Sequence, residues 1–174
     1  AGFEVHRATG VPYANALPLY PVRTLALSRL GLAGRSNPAE IRRLIAGTFL
    51  LEHPEHAAVL PAVFDFLGAG DGSAIAPDRA EATRCKLFEL LAHFLPCPRE
   101  KPLVLLIEDL HFLDTASEEF LQSLAASVRG HRALLIVNHP SAEALAAAPW
   151  WDWPRVWVSA TSLSVAHWVG FITL

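Results

Sequence analysis

Pro102-Leu-Val-Leu-Leu-Ile-Glu108-Asp109-Leu-His-Phe-Leu-Asp114 is the stretch on which the fold turns. Five apolar residues in a row, Leu103 to Ile107, end in two adjacent carboxylates. The run is too short for an ordinary helix and rich in branched side chains, so it reads as a strand buried on both faces. Acids at the carboxyl end of such a strand lie where open α/β sheets bind ligands. The layout suits Mg²⁺ chemistry, with one acid facing the ion and its neighbour orienting or deprotonating an attacking water. The competing reading is a solvated strand end with Asp109 hydrogen-bonded locally.

Downstream, Asp114-Thr-Ala-Ser117-Glu118 has the form of a helix N-terminus, with Asp114 as N-cap and Ser117 and Glu118 in the first turn. The spacing predicts a helix from about Ala116 to Val128 and a second buried strand over Ala133–Val137. Two apolar runs separated by one amphipathic helix form a minimal βαβ unit. Asn138 follows the second strand directly. Its side chain would face the same crevice as the two acids and could sense a γ-phosphate or an attacking water; the alternative is a turn residue before Pro140. A short helix around Ala142–Ala147 and a strand around Arg155–Val158 complete an alternation that predicts a parallel sheet.

Upstream, Phe3–Arg7 alternates as a short strand. A helix begins near Pro18 or Pro21 and ends at Gly31. Asn37-Pro38-Ala-Glu40 combines an N-cap, a proline at N1 and a first-turn acid, and starts a helix through Ile41, Leu44, Ile45 and Phe49. Pro54 starts another, with a stripe of Val59, Leu60, Val63, Phe64 and Leu67. Gly68 to Ser73 reads as a turn rather than a phosphate loop, since no Lys-Ser/Thr follows it. Pro77-Asp78 opens a long helix closed by Pro96.

Composition narrows the function. The 174 residues suffice for one domain with a real core, 52% of them are hydrophobic and 18% charged, and the mean hydropathy is +0.32. A formal charge of −3 gives no electrostatic case for nucleic acid. Cys85 and Cys97 match neither a CxxC nor a zinc pattern and read as free buried thiols of a cytosolic protein. His53 and His56 make a weak pair, more in keeping with a solvated helix start than with a metal site, and His111 stands alone without HExxH. The tryptophans at 150, 151, 153, 157 and 168 read as packing. No signal peptide is visible. Val156–Leu174 has no Lys, Arg, Asp or Glu, but Ser159, Thr161, Ser162, Ser164 and His167 make it a poor membrane span. A buried strand and helix, or an atypical tail, is expected there. Met is absent throughout, which suggests an excised piece of a longer protein.

Three stretches carry a resemblance. Pro12-Tyr13 with Leu17-Pro18-Leu-Tyr-Pro21-Val22 resembles a "PY…LPLxPV" loop and helix start. Leu60-Pro-Ala-Val-Phe-Asp65-Phe-Leu-Gly68 resembles "LP…LLDLLG", and Leu103 to Ser117 resembles "LVLLxEDLHWxDPAS". All three occur, in this order, in the AAA/STAND-type P-loop ATPase module found next to class III adenylate/guanylate cyclase domains in bacterial regulators. The resemblance covers roughly residues 1–156. It implies an α/β, P-loop NTPase-like parallel sheet with flanking helices, incomplete, with a helical insertion in the first half. It places Glu108 at the Mg²⁺-facing Walker B position, Asp109 at the catalytic acid and Asn138 at the polar sensor of "NYRP". ATP and Mg²⁺ would be the cofactors of the full-length parent, an ATPase in the cytoplasm. Its partners would be an attached output domain, such as a nucleotide cyclase, and other regulatory domains, with no nucleic acid and no membrane.

The departures are specific. No Gly-x-x-x-x-Gly-Lys-Ser/Thr is present, Phe112 replaces a Trp, and His139 stands where the Arg of "NYRP" would precede Pro140. After Trp157 the likeness ends. The expected organisation is one truncated domain, 1–174, comprising a strand plus helical segment (1–101), a Walker B/sensor βαβ core (102–159) and an atypical tail (160–174). Such a piece would hold ATP poorly and be inactive alone. Two rivals are a non-catalytic scaffold retaining the fold and an unrelated metal-dependent hydrolase using the two acids.

Overall fold

The computed structural model describes residues 2–12, 18–52, 54–71, 77–97, 100–129, 131–139, 156–161 and 167–172. Five strands form one mixed sheet: β1 (Glu4–Thr9), β2 (Leu103–Glu108), β3 (Ala133–His139), β4 (Val156–Thr161) and β5 (His167–Ile172), in the order β1-β2-β3-β5-β4. The helices are α1 (Tyr20–Arg29), α2 (Pro38–Glu52), α3 (Leu60–Phe66), α4 (Pro77–Phe94) and α5 (Thr115–Val128). Between β1 and β2 the described elements are all helical, and β2 leads to β3 through a short 3₁₀ turn and α5.

The apolar run Leu103–Ile107 is an interior strand. It is parallel to β1 on one side and to β3 on the other, with Leu103 opposite Ala133 and Ile107 opposite Val137. The expectation of a strand buried on both faces is corrected. Leu103, Leu105 and Ile107 are buried, while Val104, Leu106 and Glu108 are half-buried. The reason lies in the helices: α1 packs on β1 and α5 on β3, and those two helices touch each other, so they cover the same face. On the opposite face Val5 remains 59% exposed.

The wholly parallel sheet is corrected as well. β3 pairs with β5, and β5 with β4, in antiparallel register. Only residues 162–166 separate β4 from β5, fewer than a parallel crossover needs. The expected tail helix is likewise replaced, over 167–172, by β5. The expected helix over Ala142–Ala147 lies outside the described residues.

Helix boundaries follow local chemistry. Asn37 Oδ1 accepts from the backbone of Ala39 at 3.0 Å, as a cap should. Gly31 takes φ +67 after α1, and Leu32 N donates to Leu27 O at 2.8 Å, a Schellman ending that a side chain at residue 31 would strain. The helix expected from Pro54 is split. Residues Pro54–Val59 form a 3₁₀ turn and α3 starts at Leu60, because Pro61 has no N–H to continue a ladder and is accommodated in a first turn. Along α2, Ile41, Ile45 and Phe49 are buried, but Leu44 is 40% exposed and sits outside the stripe. The cysteines are not buried: Cys85 is exposed and Cys97 intermediate.

At the amino end of the sheet lies a polar cluster that the sequence did not announce. Arg29, 2% exposed, pairs through Nη1 with Glu4 Oε1 at 3.2 Å. It also donates from Nη2 to the Cys97 carbonyl and lies over the Phe94 ring at 5.6 Å. Glu4 Oε1 also takes the His6 Nε2 proton at 2.9 Å, and His6 Nδ1 meets Ser28 Oγ at 2.9 Å. Removing one member of a buried charge pair strands the other. Arg29→Ala should therefore lower stability in urea denaturation by about 2–3 kcal/mol, less than for a fully buried pair because the Glu4 carboxylate still meets water. An unchanged midpoint would show that the cluster does not hold β1 to α1 and α4.

Candidate functional site

Because β1, β2 and β3 are parallel, their carboxyl ends converge on one edge of the sheet. Thr9-Gly10, Glu108-Asp109 and Asn138 meet there. Side chains alternate along a strand, and register partners share a face. With Arg7 opposite Leu106 and Thr9 opposite Glu108, the less covered face carries Arg7, Thr9, Leu106 and Glu108 together.

Glu108 is half-buried, its side chain 20% exposed. Its Oε2 is buried and is met by an ion pair with Arg7 Nε. The Glu108 carbonyl accepts from Gly10 N at 2.8 Å, so the ladder with β1 runs to the last residue of the strand.

Asp109 turns the chain out of the sheet. It adopts φ 57, ψ 50, a left-handed conformation that an aspartate tolerates better than a branched residue. Its N–H donates to Asn138 Oδ1 at 2.6 Å, and its carbonyl accepts from Phe112 N at 2.9 Å, closing the 3₁₀ turn Leu110–Phe112. The same carbonyl packs so closely on Gly10 that a Cβ there would collide with it, and would also stand 3.1 Å from the Phe112 Cβ. Among the described residues the Asp109 carboxylate has no hydrogen-bond or ion-pair partner, so it is the uncommitted acid of the two.

Asn138 is half-buried at the end of β3. The bond from Asp109 uses its carbonyl oxygen, which leaves the amide NH₂ to donate. Asp114 acts as the cap expected of it: Oδ1 accepts from Ser117 N at 3.1 Å and Oδ2 from Ser117 Oγ at 2.7 Å. It does more, because Oδ2 also accepts from Leu19 N at 3.1 Å. That bond ties the start of α1, where Leu19 is itself left-handed at φ 60, to the start of α5. His111 is exposed and its ring lies against that of Phe112, tilted by 43°, outside this set.

The structure thus brings Glu108, Asp109 and Asn138 together and adds Arg7 and Gly10. Sequence reasoning passed over both. Arg7 has a signal, its parity with Glu108 across two adjacent parallel strands, but the register had to be known first. Of the other candidates, His53 lies outside the described residues, and His56 pairs with Glu55 at 3.6 Å. Among the described residues no three His, Cys, Asp or Glu are grouped to hold a metal ion. No helix among them is long and apolar enough to cross a membrane.

No protein-family model, no curated protein and no solved structure matches this chain.

Two substitutions test the construction of this edge. Gly10→Ala must move the Asp109 carbonyl, and should lower the thermal midpoint by the equivalent of about 1–3 kcal/mol, the usual range for overpacking. Asn138→Ala removes the acceptor for the Asp109 N–H. Amide hydrogen exchange at Asp109 should then accelerate about tenfold, the effect of losing roughly 1.4 kcal/mol of hydrogen bonding. Unchanged exchange at Asp109 would remove Asn138 from the turn.

Proposed function

We propose that the chain is part of a regulatory, P-loop NTPase-like ATP-binding domain of the AAA/STAND type, which couples its nucleotide state to an attached output domain. One observation carries this: Asp109, a carboxylate without a partner among the described residues, sits at the carboxyl end of an interior parallel strand with Glu108 before it and Asn138 holding its turn. In this reading Asp109 orients and deprotonates the attacking water, and the Asn138 amide NH₂ senses phosphate or that water. The turn pinned by Asn138 keeps the Asp109 carboxylate outside the sheet ladder, where a water can reach it. Glu108 is the metal-side acid.

The residues fit Mg²⁺ in a limited way. Glu108 offers a half-buried carboxylate that is already ion-paired with Arg7, and Asp109 is the next residue in the chain. With no three-ligand group among the described residues, the ion would be held by one or two carboxylates, water and phosphate, the usual mode for Mg²⁺ in nucleotide sites. Bound there, Mg²⁺ would neutralise charge on the phosphate oxygens. No Gly-x-x-x-x-Gly-Lys-Ser/Thr occurs in the 174 residues, so the phosphates need a cradle supplied from elsewhere in the parent protein.

A second reading, a non-catalytic scaffold, is favoured by a different observation. Glu108 already has Arg7, and Asn138 already has the Asp109 N–H, so part of this edge is satisfied without ligand.

Two experiments separate the readings. Calorimetric titration of the 174 residues with Mg-ATP should show no micromolar binding, because carboxylates alone repel a polyphosphate. A micromolar or tighter constant would mean that the site is misplaced. In the parent protein, once Mg-ATP binding is confirmed, Asp109→Asn should leave binding intact and slow hydrolysis by about 10²-fold or more, as loss of a general base does. Glu108→Gln should instead weaken Mg²⁺-dependent binding. Hydrolysis unaffected by both changes would leave the scaffold reading standing.

A further inference from the structure

We propose that Cys97 is a nucleophilic thiol with His131 as its base, and that it is a modification site for small disulfides. The pair lies at the amino end of the sheet, away from the Glu108–Asp109 edge, and the nucleotide reading makes no use of it.

Cys97 follows the end of α4, and His131 stands between α5 and β3. α4 packs on α5, and the ends of the two helices bring Cys97 Sγ to 3.4 Å from His131 Nε2. The other ring nitrogen is fixed. His131 Nδ1 stands 2.9 Å from the Ser127 carbonyl. A carbonyl only accepts, so Nδ1 carries the proton and Nε2 of the neutral ring turns its lone pair to the sulfur. A nucleophile, a base in reach of it and a third group that orients the base make the arrangement by which proteins activate a thiol. The sulfur also lies 3.1 Å from the His93 carbonyl. That oxygen can accept a hydrogen bond from the thiol but cannot take its proton, whereas the imidazole can do both.

Cys85 supplies the contrast. It is exposed and Cys97 only partly so, so access alone favours Cys85. Its Sγ, however, lies 3.7 Å from Glu81 Oε1, and a thiolate there would face a carboxylate, even though Arg84 also pairs with that group. The thiolate is the attacking species, so the less exposed cysteine is the more reactive of the two.

The disulfide is itself the oxidant in the step. The Cys97 proton moves to His131 Nε2, and the sulfur attacks one sulfur of the disulfide. A new S–S bond forms, the old one breaks, and the leaving thiolate takes the proton from the imidazolium. Cys97 is oxidised to a mixed disulfide while the leaving half is reduced to a thiol.

The test is the rate of mixed-disulfide formation with bis(2-hydroxyethyl) disulfide at neutral pH, read by intact mass, in Cys85→Ser and Cys97→Ser, each of which leaves one cysteine. The probe is uncharged, so Arg84 and Glu81 do not steer it. In the folded chain Cys97 should react about tenfold faster than Cys85, an advantage for which an ordinary thiol, only a few per cent ionised at neutral pH, leaves room. In concentrated guanidinium chloride, which dissolves the pair, the advantage should vanish. Cys97 no faster than Cys85 in the folded chain would overturn the proposal, and so would an advantage that survives the denaturant. This comparison needs no change at His131 and decides the matter whether or not a variant there folds. His131→Ala in the Cys85→Ser chain should slow Cys97 to about the rate of Cys85, and imidazole added to the buffer should restore part of the loss, which a merely structural role would not allow. A Cys97 rate unmoved by His131→Ala, or a loss that imidazole leaves in place, would overturn the role of His131 as base.

Discussion

The left-handed turn at Asp109 is the constraint around which the carboxyl edge of the sheet is arranged. A residue at φ 57 can be held there only if its backbone groups are well spent. Its N–H goes to Asn138 on β3, its carbonyl to Phe112 in the following 3₁₀ turn, and that carbonyl's other side is filled by Gly10 at the end of β1. One peptide thereby fixes three strand ends relative to one another. It also separates two acids adjacent in sequence: Glu108 stays in the ladder and pairs along the sheet, while Asp109 leaves it. Their different chemical settings follow from this one backbone conformation.

A second junction supports the first. The Asp114 carboxylate accepts three hydrogen bonds, two from its own helix and one from Leu19. It joins the loops that follow β1 and β2 on the side where α1 and α5 meet. At the other end of the sheet the Arg29 cluster ties β1 to α1 and to the segment after α4. β1 is an edge strand with Val5 59% exposed, and Phe3 just before it is 70% exposed, so apolar burial alone holds it weakly, and charge and hydrogen bonds at both ends make up the difference.

What was legible in the sequence was local or periodic. Leu103–Ile107 declared itself a strand because nothing else accommodates five apolar residues before two acids. Asn37-Pro38, Gly31 and Asp114 marked helix ends because their backbone and side-chain chemistry permits little else. Neither the presence of β5 nor its direction was legible, since a stretch without charges favours no one element and strand direction depends on which neighbour is met. Nor was the exposure of alternate residues along β2, which depends on how many helices cover a face. Leu44 fell near the α2 stripe on spacing and turned outward because the helix offers its core face to Ile41, Ile45 and Phe49. For the site, Glu108, Asp109 and Asn138 could be picked out as polar residues ending apolar runs. Arg7 and Gly10 could not, because their importance comes from register with a strand far away in the chain.

That distance has a consequence for how the edge is assembled. Residues 10–102 separate β1 from β2, whereas residues 109–132 separate β2 from β3. Loop-closure entropy grows with the logarithm of length, so pairing β1 with β2 carries an extra penalty of about 1.2 kcal/mol relative to the β2–β3 pairing. The unit β2-α5-β3 can form from neighbouring sequence, and it already contains Glu108, Asp109 and Asn138. Arg7 and Gly10 arrive only when the long loop closes. A ligand that needs the finished edge thus binds only chains in which β1 has docked, and by mass action its binding free energy would appear as stability of the longest-range strand pairing among the described residues.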